Sequence, residues 1–271
     1  MLQAFYDAMD PVAFTIGPLT VRWYGIAYIL GFVLGILLIY RIAKRWKIGM
    51  TSEHALTLLL CIMVGAILGA RLGYVIFYGD GYYWTHPAKI LAFNEGGMSF
   101  HGGLIGMFIG GLIAARITKI KFGTLADLVA TAAPIGLFFG RVANFINGEL
   151  WGSVTTMPWG VVFQNAGSLP RHPSQLYEAL LEGVVILVVL LILTRREPPL
   201  YRGCYFGIFL VLYGIFRILI EFVRQPDVQL GYLAGDWLTM GMLLSIPMLI
   251  AGVAFFVYGY RKRLPQSVQA C

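Results

Sequence analysis

LADLVATAAPIGLFFGRVANF, residues 125–145, is an apolar run that continues as INGELWG to residue 152. About 20 residues of helix are enough to cross a hydrocarbon core of roughly 30 Å. Toward its end this run carries Arg141 and Asn144, and Asn147 and Glu149 follow. One arginine at a bilayer centre costs roughly 3 kcal/mol on the insertion scale, and ionisable groups at such depth usually line a site or an internal cavity. The stretch therefore points to a membrane span with polar chemistry built into it.

Working outward, comparable apolar runs recur at 19–40, 55–77, 98–115, 177–193, 203–223 and 238–258. Hydrophobic residues fill 59% of the 271 positions and charged residues only 12%, about half the charged share of a soluble domain. The expected fold is an all-α integral membrane protein of about seven transmembrane helices, the third and fifth being the shortest. The runs leave no room for a sizeable soluble domain. We expect one polytopic domain over 1–271, with two longer loops near 78–97 and 148–175.

Lysine and arginine in short loops are retained on the cytoplasmic side. Basic residues follow the first run (Arg41, Lys44, Arg45, Lys47), the third (Arg116, Lys119, Lys121), the fifth (Arg195, Arg196, Arg202) and the seventh (Arg261, Lys262, Arg263). The alternate loops and ends hold only Arg22, Lys89, Arg171 and Arg224. This pattern puts the N-terminus on the periplasmic side and the C-terminus in the cytoplasm. The net charge of +7 is mostly that sorting signal. No basic patch has a folded platform of its own, so nucleic acid is not an expected partner.

Asp7 and Asp10 stand where a signal peptide would be basic, so no cleavage is expected. Cys61 and Cys204 lie inside apolar runs and Cys271 ends the sequence, a pattern of packing residues rather than disulfides. No metal-ligand spacing, P-loop or nucleophile elbow occurs, so neither a metal nor a cofactor is expected.

Arg71, Arg141 and Arg217 remain, all inside runs. With the N-terminus outside, the second, fourth and sixth spans run outward, and each arginine falls in the later half of its span. The third span runs inward and opens with Ser99, His101, Gly102 and Gly103, at the same level; Tyr24 opens the first span there too. Several helices thus bring polar groups to one leaflet, as a lipid-headgroup enzyme or receptor requires.

Arg141, Asn144 and Gly148 share one helix face by their spacing. The asparagines fit either a site or interhelical hydrogen-bond glue. Arg141 is harder to explain as glue, since its guanidinium needs an anion and Glu149 projects from another face. Tyr213, Arg217 and Glu221 recur at four-residue intervals. Arg217 and Glu221 fit an intrahelical ion pair as well as a ligand site. Two guanidiniums from different helices would form a forked clamp, and phosphate is the anion whose oxygens match it. His101, near a helix start where backbone amides disfavour imidazolium, would be neutral and able to accept a proton. A packing histidine is the competing reading. Gly102, Gly106 and Gly110, like Gly65, Gly69 and Gly73 around Arg71, form small-residue ridges that let helices approach closely. Tyr24, beside Trp23, also fits a plain interfacial aromatic. In Arg171-His172-Pro173-Ser174-Gln175-Leu176-Tyr177-Glu178 the proline suits a helix first turn.

Together these segments resemble the bacterial prolipoprotein diacylglyceryl transferases over nearly the whole chain. The resemblance rests on Arg22-Trp23-Tyr24-Gly25, Met98-Ser99-Phe100-His101-Gly102-Gly103, and Gly140-Arg141 through Asn144, Asn147 and Glu149 to Gly152. It continues through the Arg171 to Glu178 segment, Tyr213 to Arg217 to Glu221, and Arg224-Gln225-Pro226-Asp227. It implies a multi-pass enzyme of the bacterial inner membrane whose site faces the periplasmic leaflet. The implied partners are phosphatidylglycerol and prolipoprotein signal peptides with a lipobox cysteine. The implied reaction moves the diacylglyceryl group onto that cysteine, forms a thioether and releases glycerol phosphate. On that basis His101, Arg141 and Arg217 are the candidate catalytic residues, His101 as base for the thiol with Tyr213 as the alternative. Arg141 and Arg217 would also bind substrate, with Tyr24, Asn144, Glu149, Gly152, Tyr213 and Glu221. An anionic-lipid transporter or flippase is the competing function, although no internal repeat of the kind common in transporters is visible.

Overall fold

The computed structural model describes residues 2–93, 96–226, 231–235 and 237–266. Asp227 and Cys271 lie outside them. A short helix α1 (Leu2–Asp7) leads into an antiparallel hairpin of β1 (Val12–Ile16) and β2 (Leu19–Arg22). Then follow α2 (Trp23–Arg45), α3 (Ser52–Tyr78), the single turn α4 (Tyr82–Thr85), a 3-10 turn at Pro87–Leu91, α5 (Phe100–Thr118) and α6 (Phe122–Asn147). The chain ends in α7 (Ser174–Thr194), α8 (Cys204–Glu221) and α9 (Met240–Lys262). Among the described residues seven helices are long and apolar enough to cross a membrane: α2, α3, α5, α6, α7, α8 and α9. Their exposed faces carry residues such as Ile76, Ile105, Ile192 and Ile250, the surface that lipid covers.

The span boundaries shift by a few residues from the sequence reading, and at the first and fifth spans the reason is local. The run from residue 19 does not begin as helix, because Gly17, at φ 57°, and Pro18 turn the chain back and pair Leu19 with Ile16. The first span starts at Trp23 instead and continues to Arg45. The fifth begins at Ser174, three residues before the expected Tyr177, since Pro173 at its N-cap already sets the turn. The first long loop is not irregular throughout: α4 and the 3-10 turn lie within it.

The chain divides into two compact units, one built from Met1–Ile39 and Asp127–Pro265, the other on Tyr40–Ala126. In the second unit α3 packs on α5 along the two glycine ridges. A Cβ at Gly65 would overlap the Gly106 carbonyl, and one at Gly73 would lie 2.8 Å from the Gly102 Cα. Bare backbones let the helices approach more closely than side chains permit. Arg71 of α3, only 2% exposed, is also accounted for in this unit. Its guanidinium donates to the carbonyls of Lys89 (2.6 Å), Ile90 (2.8 Å), Gly96 and Gly97, and sits 5.4 Å from the Tyr83 ring centroid. One buried cation thereby satisfies the carbonyls of the first loop.

In the first unit α2 meets α6 at Gly31 and Gly136, α7 meets α6 at Gly183 and Phe138, and α8 meets α9 at Gly207 and Gly252. No side chain of α8 caps its own N-terminus. Buried Asp127 of α6 accepts from Gly203 N (2.7 Å) and Phe206 N (2.8 Å) instead, putting a carboxylate on the amide-rich end of the helix. The loop 148–173 is held down by a small core. Tyr6, Phe145 and Phe163 meet edge to face, Val161 joins their core, and the Gln3 side-chain amide pairs with the backbone of Val162. Burial pushes the Tyr6 phenol above its ordinary value.

Candidate active site

Arg141 lies one and a half turns before the end of α6, and Arg217 one turn before the end of α8. Both reach the same carboxylate. Arg141 Nε is 3.0 Å from Glu178 Oε2, and Arg217 Nη1 is 2.6 Å from Glu178 Oε1. Glu178 is fully buried. Arg217 Nη2 also pairs with Glu221 Oε1 at 2.5 Å, so the intrahelical pair and the interhelical one coexist. Arg224, just past the end of α8, adds a third guanidinium: its Nη1 is 3.3 Å from Glu221 Oε1 and its Nε 3.8 Å from Glu178 Oε1. Glu182 completes the cluster, 3.7 Å from Arg141 Nη2.

Local structure explains the convergence. Residues 179–185 of α7 form a π-helical segment, with Glu178 immediately before it and Glu182 inside it. Such insertions re-aim side chains and are frequent at functional sites. Gly183 lets this segment press on Phe138 of α6, where a Cβ would lie 2.7 Å from the Phe138 Cβ. That contact carries the α7 carboxylates to Arg141. Taking charges out of water costs several kcal/mol per ion even after relaxation, so the cluster is an expense to stability that its mutual attractions only offset.

The other expected residues divide into those near this cluster and those elsewhere. Glu149 does not pair with Arg141; its Oε1 accepts from Asn144 Nδ2 (2.8 Å) and Asn147 Nδ2 (3.3 Å), closing the end of α6. Tyr24 bonds to the Tyr28 hydroxyl at 3.0 Å and lies within range of the Arg141 and Glu149 charges. Tyr213 stacks on Phe209 and is within range of Arg141, Arg217, Glu178 and Glu182. Gly152 acts through its backbone: its N–H donates to His172 O at 2.9 Å, its carbonyl accepts from Arg171 Nη1, and a Cβ would collide with His172 and the Val223 carbonyl. Beside it His172 shares a hydrogen bond with the Tyr177 hydroxyl (3.2 Å), which also accepts from Trp159 Nε1 (2.7 Å). Burial holds the His172 imidazole below its ordinary pKa. His101 belongs to the other compact unit, as the second residue of α5, exposed and edge-on to Phe100. Ser99 Oγ caps that helix by accepting from Gly102 N at 3.2 Å.

Glu178, Glu182 and Arg224 were not among the expected site residues. The signal was present in the sequence as two carboxylates four residues apart at the head of an apolar run, each as costly in lipid as the arginines they pair with.

The arrangement offers two guanidiniums on neighbouring helices, each with five N–H donors of which these carboxylates take only part. Donors left over in such an arrangement can bind a small oxyanion. The family model of prolipoprotein diacylglyceryl transferase matches residues 11–258. The phosphatidylglycerol–prolipoprotein diacylglyceryl transferase of Geobacter sulfurreducens is 49% identical over 259 residues, covering 96% of this chain and 98% of its own. The enzyme of that name from Rhizobium meliloti is 51% identical over 92% of this chain and 91% of its own, and that of Pseudomonas aeruginosa 47% identical over 98% and 99%. With its seven membrane-length helices and a match over almost its full length, the chain belongs to the prolipoprotein diacylglyceryl transferase family.

Proposed function

We propose that this protein is a transferase that moves the diacylglyceryl group of phosphatidylglycerol onto the thiol of a prolipoprotein lipobox cysteine. The cysteine sulfur attacks the glyceryl carbon, a C–S bond forms, and the C–O bond to phosphate breaks with its electron pair passing to the phosphate oxygen. The thiol gives up its proton, and glycerol phosphate leaves. The observation that carries this reading is the meeting of Arg141 and Arg217, from separate helices, on one carboxylate. Groups that converge on Glu178 at that spacing can converge on a phosphate, and stabilisation of charge as it develops is commonly the largest catalytic contribution.

In this scheme Arg141 and Arg217 grip the phosphate, and Glu178 and Glu221 hold their guanidiniums in place. His101 accepts the thiol proton, because only the thiolate is a competent nucleophile; Tyr213 is the alternative for that step. Asn144 and Glu149 position the headgroup or Arg141, Tyr24 and Tyr213 touch the lipid, and Gly152 shapes the wall. The chain works as one polytopic unit in the bacterial inner membrane, N-terminus periplasmic and C-terminus cytoplasmic, with the site toward the periplasmic leaflet.

Purified protein in phosphatidylglycerol bilayers, given a lipobox peptide, tests this directly. Thioether product and released glycerol phosphate are expected; an anionic-lipid flippase would yield neither. Arg217→Lys keeps the charge but not the fork, and should slow thioether formation by about 100-fold or more. Near-normal rates in Arg217→Lys or Arg141→Ala would exclude the clamp.

A further inference from the structure

Three guanidiniums, Arg141, Arg217 and Arg224, face three carboxylates, Glu178, Glu182 and Glu221. Fully ionised, the cluster is balanced. An anionic phosphoester seated among them leaves one negative charge in excess, in surroundings where unbalanced charge is expensive. Guanidiniums do not titrate in proteins, and a phosphodiester stays ionised at neutral pH. The adjustment therefore falls on a carboxylate.

The three carboxylates are not equally held. Both Glu178 oxygens face cations, at 2.6 Å and 3.0 Å, and Glu221 Oε1 takes Arg217 and Arg224 together. Glu182 is fully buried, yet neither of its oxygens has a hydrogen-bond partner, and Arg141 Nη2 stands 3.7 Å away. Arg141 faces it from α6, Arg217 and Tyr213 from α8, Arg224 from just beyond α8, and Glu178 from its own helix. It is the least compensated carboxylate of the cluster and a neighbour of one arm of the clamp.

We propose that Glu182 takes up one proton from bulk water as an anionic phosphoester seats between Arg141 and Arg217. The inference rests on the clamp reading above. The neutral carboxyl stays beside Arg141 without competing for its N–H donors, so Glu182 is a positioning residue that releases Arg141 to the phosphate. The sign follows from linkage: a ligand that binds with a proton binds fully at low pH. Its affinity falls by about tenfold per pH unit as pH rises between the free-state and bound-state pKa of the carboxyl.

The test uses the full chain in zwitterionic nanodiscs, titrated with phosphatidylglycerol across a pH series, with an indicator dye in weak buffer to count protons. The wild-type protein should take up as much as one proton per lipid bound and lose affinity as pH rises. Glu182→Gln, a neutral mimic of the protonated carboxyl, should bind with a flat pH profile and no uptake. Equal uptake and equal slope in both proteins would overturn the proposal. Infrared difference spectra of the wild-type protein serve if Glu182→Gln does not fold: a new protonated-carboxyl band on adding phosphatidylglycerol supports the proposal, and its absence overturns it. Failure of the wild-type protein to bind phosphatidylglycerol at all would instead overturn the clamp itself.

Discussion

Glu178 holds the position on which the cluster depends, because one fully buried carboxylate answers guanidiniums from two helices. Removing one partner of a buried ion pair leaves an uncompensated charge and costs about 3–5 kcal/mol. Glu178→Ala should therefore lower the thermal unfolding midpoint in detergent as well as abolish transfer, whereas a residue serving the reaction alone would leave the midpoint unchanged. His101 calls for the opposite pattern. It is exposed near the start of α5, where its ring meets that of Phe100. His101→Gln should fold normally but lose about 100-fold or more of its transfer rate; full activity across a pH series would remove His101 as the base. Arg71 shows what an intramembrane arginine looks like when its work is structural. Loop carbonyls surround it and take its N–H donors. The sequence could not separate Arg71 from Arg141, because both read as one cation in an apolar run.

At the scale of elements, two devices set where α8 and α5 sit. Asp127 of α6 accepts from two backbone amides at the N-terminus of α8, the helix that carries Tyr213, Arg217 and Glu221. Loss of a helix cap costs about 1–2 kcal/mol, so Asp127→Ala should lower stability by that amount in a denaturation series. Because Arg217 lies on the helix so anchored, a fall in transfer rate should accompany it. The α3–α5 contact is a backbone contact. A side chain at Gly106 would collide with the Gly65 carbonyl and come within 3.0 Å of the Gly69 Cα. Gly106→Val should cost more than about 2 kcal/mol and force the helices apart, read as a lower unfolding midpoint; an unchanged midpoint would mean that the ridge is not needed for packing. The glycine ridges were legible from their four-residue repeat. The π-helical segment of α7 was not, since nothing in the spacing of residues 179–185 distinguishes it from ordinary helix.

For the whole molecule, the alternation of basic and neutral loops sets the expected topology. Reporter fusions at the N-terminus should be active only outside the cytoplasm and those after Lys262 only within it; the reverse pattern would move the arginine cluster to the other leaflet. Seven spans and their order were readable, because hydropathy is a local quantity that the bilayer itself reads. The exception at residues 19–22, a strand instead of a helix start, arises because a Gly-Pro turn overrides a run that is apolar enough to span.

Cost was the part written in the linear chain. Each buried arginine announced itself by its price in lipid, and with it the need for an anion. Partnership was settled in three dimensions. Glu149, the nearest carboxylate along the chain, is taken by Asn144 and Asn147, and the anion that Arg141 meets is Glu178, carried in by another helix. That pairing depends on α7 closing on α6 through Gly183 and on a local π turn, and an interaction between helices far apart in sequence leaves no trace in residue spacing.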